Sequence, residues 1–309
     1  MPVLGIIACR ALEDELAHVL SDDHDLRHLI LINNLDCFDL SKKLRSKNRS
    51  HLLAAWEDIP EMLKGIRSTD KGILKPLLDR SRLLSGLLGN AGGSGEEIII
   101  VVTVLKMALH IDKKILRSEV CKNIERILTF SDVILLFYGR CGNALQDLEV
   151  PQGRHCPLFF LTDGSGEIVD DCIAAALGGN RQYAEALSCH QGVGYFCTPM
   201  GASSLDYADR EVRRYNIEHH FKPKCFGDLL VELGFSKIAR LDTGLKFISD
   251  FEVESNINGF ASLYHLEIVK LRGSVEIAER CYRRAKDDVN RSVYKSKLGA
   301  IKGPKVEET

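Results

Sequence analysis

Ile98–Val104, IIIVVTV, and Val133–Phe137, VILLF, are unbroken runs of β-branched and aliphatic side chains, each about the length of one strand. A strand apolar on both faces has to be covered on both faces, which is the condition of a parallel strand between two helix layers. Working outward, Val3–Ala8 (VLGIIA) reads the same way and is followed by amphipathic sequence from about Ala11 to Leu20. Further strand candidates are His28–Ile32, Leu158–Leu161, Gly194–Cys197 and Lys237–Leu241. Strands alternating with helix-length segments predict an α/β, Rossmann-like fold with a largely parallel sheet between helix layers.

Four segments are expected. Residues 1–40 form the first part of the α/β core, and residues 41–95 form a helical insertion ending in the Gly-rich connector Gly89–Gly95. Residues 96–245 complete the core, and residues 246–309 are a C-terminal helical segment with a basic tail. The Gly cluster reads as a linker, because it precedes a strand and lacks the lysine and hydroxyl pair of a phosphate loop.

The 41 Lys and Arg residues against 43 Asp and Glu leave a net charge of -2, which supplies no field for nucleic acid or an anionic membrane. No apolar run approaches the ~20 residues that cross a bilayer. The start, MPVLGIIACR, reads as a buried strand and not as a secretory leader, so a cytoplasmic location is expected. Ten scattered cysteines with no CxxC spacing are then expected to be reduced thiols.

Ligands of open parallel sheets bind beyond the carboxyl ends of the strands. Cys9 follows the first strand, His110 lies shortly after IIIVVTV, Cys141 follows VILLFYGR, and Cys172 opens a helix after LFFL and its turn. If the crossovers run the same way, three thiols and an imidazole reach one sheet edge, a donor set suited to zinc. An iron–sulfur cluster is the alternative if Cys156 or Cys197 takes the place of His110. The competing reading makes the thiols apolar packing residues, which free cysteines commonly are. Another makes Cys172 a nucleophile, with the helix dipole lowering its pKa and Asp170 and Asp171 raising it, although an acid there is most simply an N-cap. His219 and His220 beside Cys225 form a weaker candidate, and LTDGSGEIVDD (161–171) could offer backbone N–H groups to an anion. The familiar GxGxxG, GxSxG and HExxH patterns are absent.

The phrases ACRALEDEL (8–16), ALHIDKKIL (108–116), YGRCGNAL (138–145), DDCIAAALGG (170–179) and GVGYFCT (192–198) are what the chain shares with a known family. In them it resembles the archaeal and bacterial family called domain of unknown function number sixteen thirty-eight, common in methanogens and often encoded beside corrinoid-dependent methyltransferases. Two departures are the lack of a Pro after the Leu-His pair and Arg140 where an acidic residue is expected. The resemblance emphasises Cys9, His110, Cys141, Asp171 and Cys172. It implies anaerobic one-carbon metabolism, with a corrinoid protein or methyltransferase as partner and corrinoid reached through that partner. The expected function is a metal- or cofactor-binding accessory protein, with Cys9, His110, Cys141 and Cys172 as ligands and Asp171 orienting them. The rivals are a thiol- or zinc-dependent methyl transferase and a metal-free interaction protein.

Overall fold

A computed structural model describes residues 1–69, 97–148, 156–218 and 224–301. Six parallel strands form the main sheet: β1 (Val3–Cys9), β2 (His28–Ile32), β3 (Leu52–Ala54), β4 (Ile99–Leu105), β5 (Val133–Phe137) and β6 (Leu158–Phe160). Their order is β3-β2-β4-β1-β5-β6, every pair is parallel, and all their carboxyl ends therefore meet on one edge. Every residue of β1, β4 and β5 is buried, as their unbroken apolar runs require.

The crossover helices cover both faces. From β1 the chain moves through α1 (Glu13–Ser21) toward β2, and from β4 it moves in the opposite direction through α4 (Lys113–Leu128) toward β5. Right-handed crossovers running in opposite directions put their helices on opposite faces. The connections after β1 and β4 thus diverge, which opens the crevice where such sheets bind ligands. The α4 helix begins where Asp112 accepts from the N–H groups of Lys114 and Ile115, and it buries Leu116, Val120, Ile124 and Ile127 at helical spacing.

The stretch from residue 41, expected to be a helical insertion, differs in its described part. The helix α2 (Phe38–Ser46) buries Leu40 and Leu44 in the main core, β3 joins the sheet, and α3 (Ile59–Thr69) buries Ile59 and Leu63 against its strands. Three residues, LLA, are too short to register as a strand between charged flanks, and only pairing with β2 reveals them. The Gly89–Gly95 connector lies outside the described residues.

The last three strands do not join the main sheet. β7 (Val193–Cys197), β8 (Lys237–Asp242) and β9 (Glu267–Arg272) form a separate parallel sheet in the order β7-β8-β9. The segment beyond residue 245, expected to be mostly helical, also holds one strand. β9 is a half-exposed edge strand of mixed polarity, EIVKLR, and lacks the apolar run that marks β1, β4 and β5. Helix α10 (Asp250–Leu263) precedes it, and the C-terminal helix α11 (Glu276–Ile301) follows it, burying Ile277, Cys281, Ala285 and Val289. Phe196, Ala239 and Leu241 of the small sheet belong to the main core, so the two sheets share one interior.

Candidate functional site

The polypeptide around Cys9, Cys141 and Cys172 is built for close approach. Cys9 is the last residue of β1, and its neighbours β4 and β5 lie one on each side. After β5 the chain runs through Tyr138 and Gly139 into three consecutive left-handed residues, Cys141 (φ 49), Gly142 (φ 63) and Asn143 (φ 67). Gly is at ease there and Asn tolerates it, but Cys pays a steric cost. Gly139 has a separate reason to lack a side chain. A Cβ placed on it would lie 2.6 Å from the Asp171 Cα. That contact lets segment 169–172 lie against segment 138–141. Backbone hydrogen bonds from Arg140 to Val169 (2.8 Å) and from Cys141 to Asp170 (2.7 Å) join them, and Arg140 forms an ion pair with Asp170. Asp171 caps helix α5 (Cys172–Leu177), accepting from Ala174 N–H at 2.8 Å, and so fixes Cys172 at its first turn.

The result is a buried thiol cluster centred on Cys172, which lies near enough to both Cys9 and Cys141 to perturb their titration or be perturbed by it. The Cys172 thiol lowers the Cys9 pKa below the ordinary thiol value, against the opposing effect of burial. The Cys172 pKa is driven well up by its thiol neighbours, Cys141 first, and by burial. Of these two thiols Cys9 is therefore the closer to ionisation, and the reading of Cys172 as nucleophile finds no support in this ordering. Tyr138 is 2% exposed; its hydroxyl has no conventional partner and is turned toward Cys9. The small sheet closes over the same place. Tyr195 feels the charge of both Cys197 and Cys9, and Thr198 donates to the Ala11 carbonyl at 3.0 Å.

His110 sits in the turn after β4, behind the left-handed Ala108. The residue is exposed, yet its ring is surrounded closely enough that loss of water lowers its pKa; its charge partner is Asp171. Burial raises the Asp171 pKa, while hydrogen bonds from Ala174 and Ile173 N–H and from the Tyr183 hydroxyl lower it. The structure thus brings Cys9, Cys141 and Cys172 together, and it places His110 near Asp171, the residue that precedes Cys172, without joining the imidazole to the thiols. Among the described residues, no group of three or more His, Cys, Asp and Glu has the arrangement that holds a metal ion.

The remaining candidates fall elsewhere. Cys197 ends β7 inside the small sheet's own core cluster, and burial raises its pKa. Cys156 is buried in the main core. His219 and His220 lie outside the described residues. The N–H groups of Ser165 and Glu167 in the 161–171 loop already bond to Asp163, which leaves little to offer an anion.

Inspection of the sequence missed the charges behind the thiols. The acidic first turn of α1 is buried as Glu13, Asp14 and Glu15, and the buried Lys43 of α2 binds Glu13 and Asp14, each at 2.7 Å. Neither oxygen of Glu15 has a hydrogen-bond partner, although it lies near enough to Cys9 for their charges to interact. ALEDEL looks like an ordinary solvated helix start, and the only signal against that was its place after an all-apolar strand.

No helix of the described residues is long and apolar enough to cross a membrane. Comparison with curated proteins and with solved structures finds no match. Residues 104–282, more than half of the chain, match the family described as protein of unknown function (DUF1638). That span starts at the end of β4 and carries His110, Cys141, Asp171 and Cys172 through the small sheet into α11, and on this match the chain belongs to that family.

Proposed function

We propose that the protein binds a thiophilic metal ion, or a cofactor containing one, through Cys9, Cys141 and Cys172, and serves as an accessory protein and not as a self-sufficient enzyme. One observation carries this reading: three thiols from three separate segments meet at the carboxyl edge of the sheet, where the connections diverge. The donor set is soft and suits zinc or an iron–sulfur centre. The buried, unpartnered Tyr138 hydroxyl beside Cys9 fits a role as donor to a metal-bound thiolate. Asp171 would hold His110 at the margin of the site, where the imidazole could serve as the fourth ligand. All ten cysteines are free, counting those at the surface, which accords with a reducing compartment and a cytoplasmic location.

The test is metal analysis of protein purified anaerobically from cells supplied with zinc and iron. About one equivalent of metal per chain (one cluster's worth, if iron) is expected, with most of it lost on changing Cys9, Cys141 or Cys172 to Ser and retained on changing Cys37 or Cys281 to Ser. Metal-free wild-type protein, or retention by the three site variants, would overturn the reading.

A second reading, thiol-dependent group transfer such as methyl transfer, is favoured by one feature: the Cys9 pKa is lowered despite its burial. Transfer to the Cys9 sulfur would show as a mass increase on the Cys9 peptide after incubation with a methyl donor. The setting we propose, anaerobic one-carbon metabolism beside a corrinoid protein or methyltransferase, rests on the family resemblance. Capture of a corrinoid protein by the tagged chain under anaerobic conditions would support it.

A further inference from the structure

A cavity of about 640 Å3 opens beyond the carboxyl ends of β2 and β3, lined on one side by α2 and the turn that leads into it. It lies on the same edge of the sheet as the thiols and involves none of them. Its size is that of a typical small-molecule site. Three large apolar side chains around it face water: Leu35 is 94% exposed, Phe38 72% and Leu53 45%. Exposure of this kind in one concave place marks a surface that something covers.

The charges say what kind of molecule that is. Helix α2 turns Leu40, Lys43 and Leu44 inward and presents Phe38, Lys42 and Arg45 along the stripe that lines the cavity. Neither Lys42 nor Arg45 has an acidic partner among the described residues. The acids that could neutralise them, Asp36 and Asp39, are both engaged by Arg10, at 3.4 and 2.5 Å. Lys43, the remaining cation of the helix's first two turns, is committed to Glu13 and Asp14. Lys42 and Arg45 thus stand beside an exposed phenyl ring with no carboxylate of the described residues bound to either. Arginine offers a planar fork for an oxyanion, and the ring and the two leucines offer an apolar face for a flat apolar body.

We infer that this cavity is a second binding site, separate from the thiol cluster, for a small aromatic molecule carrying an oxyanion group. The ring packs on Phe38, Leu35 and Leu53, and the anion is held by Arg45 and Lys42. The inference does not depend on the proposed metal function, because no residue is shared.

The experiment is a fluorescence titration of the full chain with anilinonaphthalene sulfonate, an aromatic sulfonate that brightens when its rings leave water. Saturable binding at one molecule per chain is expected. The double variant Lys42→Gln/Arg45→Gln should weaken it by about tenfold or more, the effect of losing charge-assisted hydrogen bonds. Phe38→Ser should weaken it too, whereas Phe251→Ser, at an exposed ring on α10, should leave it unchanged. The neutral parent, anilinonaphthalene, should bind more weakly than the sulfonate. All the altered side chains are exposed, and an unchanged Tm for each variant shows that the fold is intact. Wild-type affinity in the double variant, equal affinity for the neutral parent, non-saturable binding, or loss of binding in Phe251→Ser would each overturn the proposal.

Discussion

Cys141 concentrates the local strain of the thiol cluster, because its thiol reaches Cys172 only from a left-handed backbone at φ 49. Gly at that position would relax the backbone and remove the thiol, and Ala would remove the thiol alone. Cys141→Gly is therefore expected to be more stable than Cys141→Ala by about 1 kcal/mol in urea unfolding. Equal stabilities would mean that the turn carries no strain. The order of the thiols can be checked by labelling. The neighbouring Cys172 thiol is the main influence that lowers the Cys9 pKa, so Cys172→Ala should raise the Cys9 pKa and slow its modification by a small methanethiosulfonate at neutral pH. Peptide mapping reads the rate, and faster modification of Cys9 in the variant would contradict this ordering. These effects belong to individual residues. The cysteines themselves were legible as positions following strands, but their unequal acidity depends on which thiol lies between the other two.

The first turn of α1 sets the pH response at the level of an element. Burial raises Glu15 to about 8 and Glu13 to about 7, the latter despite the attraction of Lys43. A carboxyl whose folded pKa lies above its unfolded value holds its proton more tightly in the folded chain. It opposes folding least below the ordinary carboxylate range, and stability falls as pH rises through the folded pKa. Glu15→Gln removes the ionisation, so the variant should gain on the wild type between pH 4.5 and 8, by on the order of 3 kcal/mol at the upper end. Chemical denaturation across that range checks it, and a difference that stays flat with pH would refute it. Lys43→Met should act the other way. It strands Glu13 and Asp14 without their cation and is expected to cost about 3–5 kcal/mol. None of this was visible in ALEDEL, because an acidic first turn reads the same whether it meets water or the interior.

For the whole molecule, the question is whether two sheets make one cooperative unit. Phe196, Ala239 and Leu241 pack into the main core, Tyr195 and Thr198 reach the end of β1, and Thr162 after β6 touches Cys281 of α11. Unfolding should therefore be a single transition. Trp56, the chain's only tryptophan, lies between β3 and α3 and reports the main sheet, whereas far-ultraviolet circular dichroism reports both sheets. Coincident denaturation curves are expected, and an earlier loss of dichroism while Trp56 stays native would show that the small sheet unfolds by itself.

The sequence alone determined the parallel core and its direction. IIIVVTV, VILLF and VLGIIA had to be buried on both faces, and the helix-length segments between them required crossovers that put every carboxyl end on one edge. The positions of Cys9 and Cys141 on that edge followed from the same pattern, since each was read shortly after a strand, and Cys172 was read at the helix start that follows LFFL and its turn. Tertiary structure decided what no run of residues encodes. It paired LLA as an edge strand and turned β7, β8 and β9 into a second sheet, because short or half-exposed strands are specified by their neighbours more than by their own composition. It also buried Glu13, Asp14 and Glu15 behind the thiols, left Gly139 no room for a Cβ against Asp171, and put Cys172 beside both other thiols. Proximity and burial depend on segments far apart in the chain, and they set both the thiol acidities and the charge around the site.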